Sequence, residues 1–93
     1  MTRPTDNPWA GRRVIADPGG EHTWFIAPDG RSVELDMGTG RTRLPLRPAK
    51  GGWRAQSQPL SFLFKRDGMW MQLWLGRVHV ETRRMVDAPA ACP

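Results

Sequence analysis

The segment "PLSFLFKRDGMWMQLWLGRVHVETRR", residues 59–84, decides the predicted fold. It contains two compact turn signals, Asp67-Gly68 and Gly76-Arg77, between runs rich in apolar residues. Asp-Gly suits a type I′ hairpin turn, and glycine at the first central position suits type II′. The sequence therefore predicts a three-stranded antiparallel meander. Its strands are predicted at about 60–65, 69–75 and 78–84.

Two-residue turns also fix which side chains share each face, because successive side chains of a strand point to opposite faces. One face is nearly all apolar and is the predicted core side, with the rows Phe64–Met71–Thr82, Phe62–Leu73–Val80 and Leu60–Leu75–Val78. The other face has the rows Lys65–Trp70–Arg83, Leu63–Gln72–Glu81 and Ser61–Trp74–His79. A one-residue slip in either turn would mix these sets, so their separation supports strands. The alternative is a helix over 69–86, which would place Gly76 in its middle at a cost of about 1 kcal/mol relative to alanine.

A second hairpin is predicted in "EHTWFIAPDGRSVELD", residues 21–36, where Pro-Asp-Gly has turn chemistry. Two registers remain open at this point. A two-residue turn pairs Ile26 with Val33, which matches apolar residues better, whereas a three-residue Pro-Asp-Gly turn pairs Phe25 with Val33. The strand candidate at 41–46 contains Pro45 and is expected at an edge or a bulge.

Composition favours many short elements, since the 93 residues include 10 glycines and 9 prolines. We expect an all-β protein with one small antiparallel barrel or rolled sheet of about six to eight short strands. The predicted organisation is a flexible N-terminal tail at 1–11, a single β domain at 12–86 and a flexible C-terminal tail at 87–93.

Several function classes lack the residues they need. One cysteine, Cys92, excludes an internal disulfide and any zinc site made of several cysteines. The two histidines, His22 and His79, have no metal-like spacing to further ligands, and no cofactor or nucleophile motif is present. No stretch is apolar enough for a membrane span, and the polar start does not fit a signal peptide. We therefore expect a soluble, cytoplasmic, non-catalytic protein without cofactor or metal.

Charge indicates a binding function. The net charge is +5, and residues 37–66 contain seven basic residues and no acidic one. Such a block attracts nucleic acid or an acidic protein surface, and basic side chains beside tryptophan rings are typical of faces that stack bases. The candidate binding residues are Lys65, Trp70, Trp74, His79, Arg83, Arg41, Arg43, Arg47 and Arg54. Two other interpretations are a basic loop without a partner and tryptophans covered by the hairpin of residues 22–36.

The sequence thus predicts a small basic binding module that engages nucleic acid or a nucleoprotein complex through a basic loop and a Trp/Arg sheet face. The first alternative is a protein–protein adaptor or inhibitor of the kind that phages and mobile elements encode, because tryptophan and arginine are favoured interface anchors. The second alternative is a structural subunit of an assembly, in which strand edges near Pro45 pair between copies.

Overall fold

The computed structural model describes residues 7–17 and 22–88, which form a closed antiparallel β-barrel. Within this part of the chain, eight strands follow one another around the barrel in chain order, and the last pairs with the first. The strands are β1 Arg13–Asp17, β2 Thr23–Ile26, β3 Ser32–Asp36, β4 Arg41–Ala49, β5 Gly52–Ser57, β6 Leu60–Lys65, β7 Trp70–Leu75 and β8 Val78–Asp87. The predicted small all-β barrel is confirmed. Among the described residues, no helix is long and apolar enough to cross a bilayer.

The C-terminal meander forms at both predicted turns. β6 and β7 pair in the predicted register from Leu60↔Leu75 to Phe64↔Met71. Gly68 and Gly76 have φ values of 74° and 59°, a conformation that glycine adopts without a Cβ penalty. The alternative of a helix over this region is therefore wrong.

A β-bulge changes the predicted pairing of β8. The strand begins as expected with Leu75↔Val78, but the register shifts by one residue between Leu73 and Trp74, and Leu73 then pairs with Glu81 instead of Val80. Beyond the bulge the shift puts Met85 in the interior, where it is 1% exposed. A regular strand would point Arg84 inward instead. Burying an unpaired charge destabilises the fold, whereas burying a methionine side chain stabilises it.

The interior of the barrel is filled by side chains from all eight described strands. Trp24 of β2 crosses the interior to β6, with ring centroids 4.7 Å from Phe62 and 5.6 Å from Phe64 in edge-to-face arrangements. The β2–β3 hairpin adopts the register with Ile26↔Val33, one of the two left open by the sequence. The hairpin is part of the wall opposite β6, so it does not cover the outer face of β6 and β7.

The segment before β1 closes one end of the barrel. Trp9 is 0% exposed, its ring centroid lies 5.2 Å from Phe64, and its Nε1 donates to the carbonyl of Lys65 at 2.9 Å. Asn7 is also buried and donates to the carbonyl of Gly30 at 3.3 Å. Residues 7–11, predicted as part of a flexible tail, therefore pack against the barrel, because the closed sheet leaves space for an indole at this end.

The other predicted boundaries fall near or outside the described residues. β8 continues to Asp87, whose carboxylate accepts three hydrogen bonds from Arg12 at 2.9–3.0 Å. This pair joins the start of β1 to the end of β8 across the seam of the barrel. The remainder of the predicted tails, residues 1–6 and 89–93, lies outside the described part of the chain.

One row of the predicted core is exposed instead, and so are Val80 and Thr82 of the other two predicted rows. Leu75 and Val78 are 47% and 64% exposed, and their neighbour Leu60 is also at the surface. The described pairing of β1 with β8 ends at Asp17↔Arg84, so the β7–β8 hairpin extends past the last of these pairs. The inward face of the hairpin consequently continues beyond the packed core.

Candidate functional site

The outer surface of β4–β8 carries a set of basic and aromatic side chains that we name the basic–tryptophan face. It follows from strand alternation, since these residues point away from the buried core. Its members are Arg47, Arg54, Lys65, Trp70, Trp74, His79 and Arg84.

Trp70 and Trp74 lie on this face, as the sequence predicted, but in different surroundings. Trp70 is 45% exposed, and its ring lies over the β6–β7 turn, where a Cβ built on Gly68 would come within 3.1 Å of its Cδ1. Trp74 is half-buried. Its Nε1 donates to Oε1 of Gln72 at 3.3 Å, and its ring centroid lies 5.1 Å from that of His79. Trp70 therefore offers the more accessible ring.

The bulge in β8 decides which charges border these rings. Arg84, not Arg83, is the partner of Trp70, and Thr82, not Glu81, is the partner of Gln72. Arg83 instead pairs with an inward-facing residue of β7 and lies 3.9 Å from Glu81. The predicted placement of Arg83 beside Trp70 is therefore corrected, and the acidic residue of the predicted row leaves this face.

Lys65 also differs in detail from the predicted arrangement. It follows Phe64 at the end of β6, next to the strand that carries Trp70. Its Nζ, however, lies beside the β4–β5 turn, 3.2 Å from a Cβ built on Gly51. The ammonium group thus borders the face on the side of β5 and not over the tryptophan ring.

Arg47 and Arg54 are directly opposite each other on β4 and β5. Arg54 is half-buried, and its Nε has no hydrogen-bond partner among the described residues. Its other neighbour, Leu63 on β6, points outward and yet is only 4% exposed. The surrounding outer side chains must therefore lie across Leu63 and shield it from solvent.

Arg41 and Arg43 lie at the other end of β4, against an acidic strand. Arg43 is opposite Glu34, and Arg41 is 3.6 Å from the carboxylates of both Glu34 and Asp36. The acid-free block in the sequence is thus partly neutralised in space. These two arginines do not join the basic–tryptophan face.

The basic–tryptophan face itself contains no acidic side chain within the described ranges. On β4 to β7, no outward-pointing residue is Asp or Glu, and the same holds for β8 from His79 to Arg84. Asp17, the partner of Arg84 on β1, and the exposed Asp67 in the β6–β7 turn border the face. The site combines a net positive charge with an exposed indole.

This arrangement can bind anions and stack flat rings. Nε2 of His79 lies 2.9 Å from Oγ1 of Thr82. In residues 7–17 and 22–88, no three His, Cys, Asp or Glu side chains come together as metal ligands. Sequence reasoning missed Arg84, and the apolar Met85 after two arginines was the signal that could have located the bulge. Comparisons with protein-family models, with curated proteins and with solved structures found no match to this chain.

Proposed function

We propose that this protein is a non-catalytic module that binds single-stranded nucleic acid through the basic–tryptophan face. The observation that carries the proposal is the exposed ring of Trp70 on a face where the described outward residues include several arginines and no acid. Bases stack on such rings with about 1–3 kcal/mol each and with little sequence preference. We keep the cytoplasm as the expected compartment.

A single strand suits this face better than a duplex. Stacking on an indole requires a base that is free of its own stack, which loops and single strands provide. Trp70 and Trp74 are four residues apart on one strand, or about 13 Å, so each can take a different base. Arg47, Arg54 and Arg84 would neutralise phosphates between and beside these bases, without reading their sequence.

The test measures binding of a fluorescently labelled oligothymidylate by anisotropy across a series of salt concentrations. We expect Trp70→Ala to weaken binding by about 1–3 kcal/mol, since one stacked base is lost. Phe25→Ala is the matched control, because Phe25 is 41% exposed but lies on β2. The proposal fails if no binding is detected at low salt, if affinity does not change with salt, or if both variants bind equally.

A second candidate function, a protein–protein adaptor, is favoured by the exposed apolar row. Leu60, Leu75 and Val78 are neighbours across three strands at the tip of the meander, and Val80 at the bulge is also exposed. Exposed apolar side chains that cluster in this way are typical of interaction surfaces.

Affinity purification from the native host, with and without nuclease, separates the two functions. An adaptor should retain its partner after nuclease treatment and lose it in Leu75→Ser, whereas Trp70→Ala should have no effect. A partner that disappears with nuclease and with Trp70→Ala supports nucleic-acid binding instead.

A further inference from the structure

A depression on the outer face of β4 and β5 has the composition of an anion site. Its volume is about 410 Å³, and it is lined by Pro45, Arg47, Pro48, Ala49, Arg54 and Gln56. None of these lining residues is acidic. The two prolines have no backbone N–H, so the donors come chiefly from the two arginines and the glutamine amide.

The two arginines in this depression are uncompensated in the described structure. Like charges directly opposite each other on neighbouring strands destabilise a sheet. Arg12 and Arg41 each lie within 4 Å of a carboxylate, whereas neither Arg47 nor Arg54 forms an ion pair with a described carboxylate. A bound anion would relieve the repulsion between the two guanidinium groups.

Arg54 has, in addition, a donor that is already desolvated. Its Nε is buried and has no acceptor among the described residues. Proteins seldom leave a buried donor without a hydrogen bond. The Nε–H and the adjacent Nη–H of a guanidinium form a planar fork that matches two oxygens of a phosphate. A tetrahedral oxyanion in the depression would offset both charges, and it would satisfy the shielded Nε–H once the Arg54 side chain turned toward it.

We propose that the depression between Arg47 and Arg54 is a binding site for a phosphate-type oxyanion. The oxyanion is bound by the fork of Arg54 and neutralised from across the strand pair by Arg47. Where the ligand is the phosphodiester of a nucleic acid, this second proposal rests on the proposed function. Gln56 shares a row with Trp74 through Ser61, which places the depression about two strand spacings, or about 10 Å, from that ring. A strand could therefore stack a base on Trp74 while a nearby phosphate occupies the depression.

The first experiment compares thermal unfolding in phosphate and in chloride at equal ionic strength. Phosphate should raise the Tm of the wild-type protein in a saturable manner, because a ligand bound by the native state stabilises it. Arg54→Lys keeps the charge and removes the fork, and it should weaken phosphate binding by about tenfold or more. Arg43→Gln is the control on the same strand and should retain the full phosphate effect.

A direct readout does not depend on any variant. In a titration with inorganic phosphate followed by ¹H–¹⁵N NMR, the Nε–H resonance of Arg54 should shift with the same dissociation constant as the change in Tm. The proposal is overturned if phosphate and chloride act alike. It is also overturned if Arg43→Gln loses as much of the effect as Arg54→Lys.

An oligothymidylate arm separates this site from the proposed function. If phosphate acts at Arg54 but no oligonucleotide binds at low salt, the oxyanion site stands as a site for free phosphate, and the nucleic-acid proposal fails. If the oligonucleotide binds to the wild-type protein but phosphate does not raise the Tm beyond the effect of chloride, the nucleic-acid proposal stands and the oxyanion site is refuted.

Discussion

Replacing Trp9 with alanine tests whether the segment before β1 belongs to the folded core. The indole is fully buried, packs edge-to-face on Phe64 and donates a hydrogen bond to the carbonyl of Lys65. Truncating a buried tryptophan to alanine costs about 3–5 kcal/mol, through lost burial and the cavity that remains. A domain of 93 residues has a free energy of unfolding of about 5–14 kcal/mol. We therefore expect Trp9→Ala to lose a large part of the total stability.

Urea unfolding followed by far-UV circular dichroism measures this loss without relying on tryptophan fluorescence. With a slope of about 1–3 kcal/mol per molar urea, the transition midpoint should fall by about 2 M. Trp9→Phe keeps most of the ring but removes the N–H, so its cost should be smaller, about 1–3 kcal/mol.

Pro8→Ala is the control, because Pro8 is the exposed neighbour of Trp9 in the same segment. Its effect should stay within about 1 kcal/mol, the range of a proline substitution acting through the unfolded chain. If Trp9→Ala and Pro8→Ala unfold at the same urea concentration, the indole does not contribute to the core, and the reasoning about the closed barrel end is refuted.

Three further outcomes can be measured on the same protein. Gly52→Ala should cost about 3 kcal/mol or more in urea unfolding, because the new Cβ would clash with the carbonyl oxygen of Phe64 on β6, while Gly40→Ala, which has open space, should cost less than about 1 kcal/mol. Arg84→Gln should weaken oligonucleotide binding and reduce the salt slope by about 1, and equal loss in Arg83→Gln would contradict the bulged register. Asp87→Asn should cost less than about 1 kcal/mol, since its carboxylate is 65% exposed and its ion pair is screened by solvent; a loss above about 2 kcal/mol would show that the seam depends on this pair.

The C-terminal meander could be predicted because turn chemistry and side-chain alternation gave the same answer independently. The two glycine turns placed Phe62 and Phe64 inward and Trp74 outward, as the structure does. The register of the β2–β3 hairpin stayed open because turn chemistry and apolar matching disagreed. In the register that forms, with Ile26 opposite Val33, Trp24 packs against Phe62 of β6. This contact joins distant parts of the chain and could not be seen in the hairpin sequence alone.

Two features depended on closure of the barrel and could not be predicted locally. The bulge puts Met85 opposite Ala16 of β1, a pairing that exists because the first and last strands meet. Trp9 precedes the first strand among prolines and turn formers, a context typical of mobile tails, yet it is fully buried and contacts Phe64 and Lys65 of β6, far away in the chain.

The grouping of the basic residues could not be predicted from the sequence, because charges that are close in sequence need not be close in space. Counting charges along the chain grouped Arg41 and Arg43 with Arg47 and Arg54. In the barrel, the first two face the acidic residues of β3, while the second two face each other. The sequence contained these charges, but the strand order was needed to know which of them are neutralised.

The bulge at Val80 changes which side chains of β8 point outward. Before it, the odd-numbered His79 points outward; after it, the even-numbered Thr82 and Arg84 do, and the odd-numbered Met85 points inward. A position-by-position substitution profile of this strand should therefore reverse its phase within three residues. Deleting Val80 would remove the reversal. β8 could then keep its present register either with the last residues of β7 or with β1, but not with both. The one extra residue of the bulge thus lets a single continuous strand pair with β7 before the bulge and with both β7 and β1 after it.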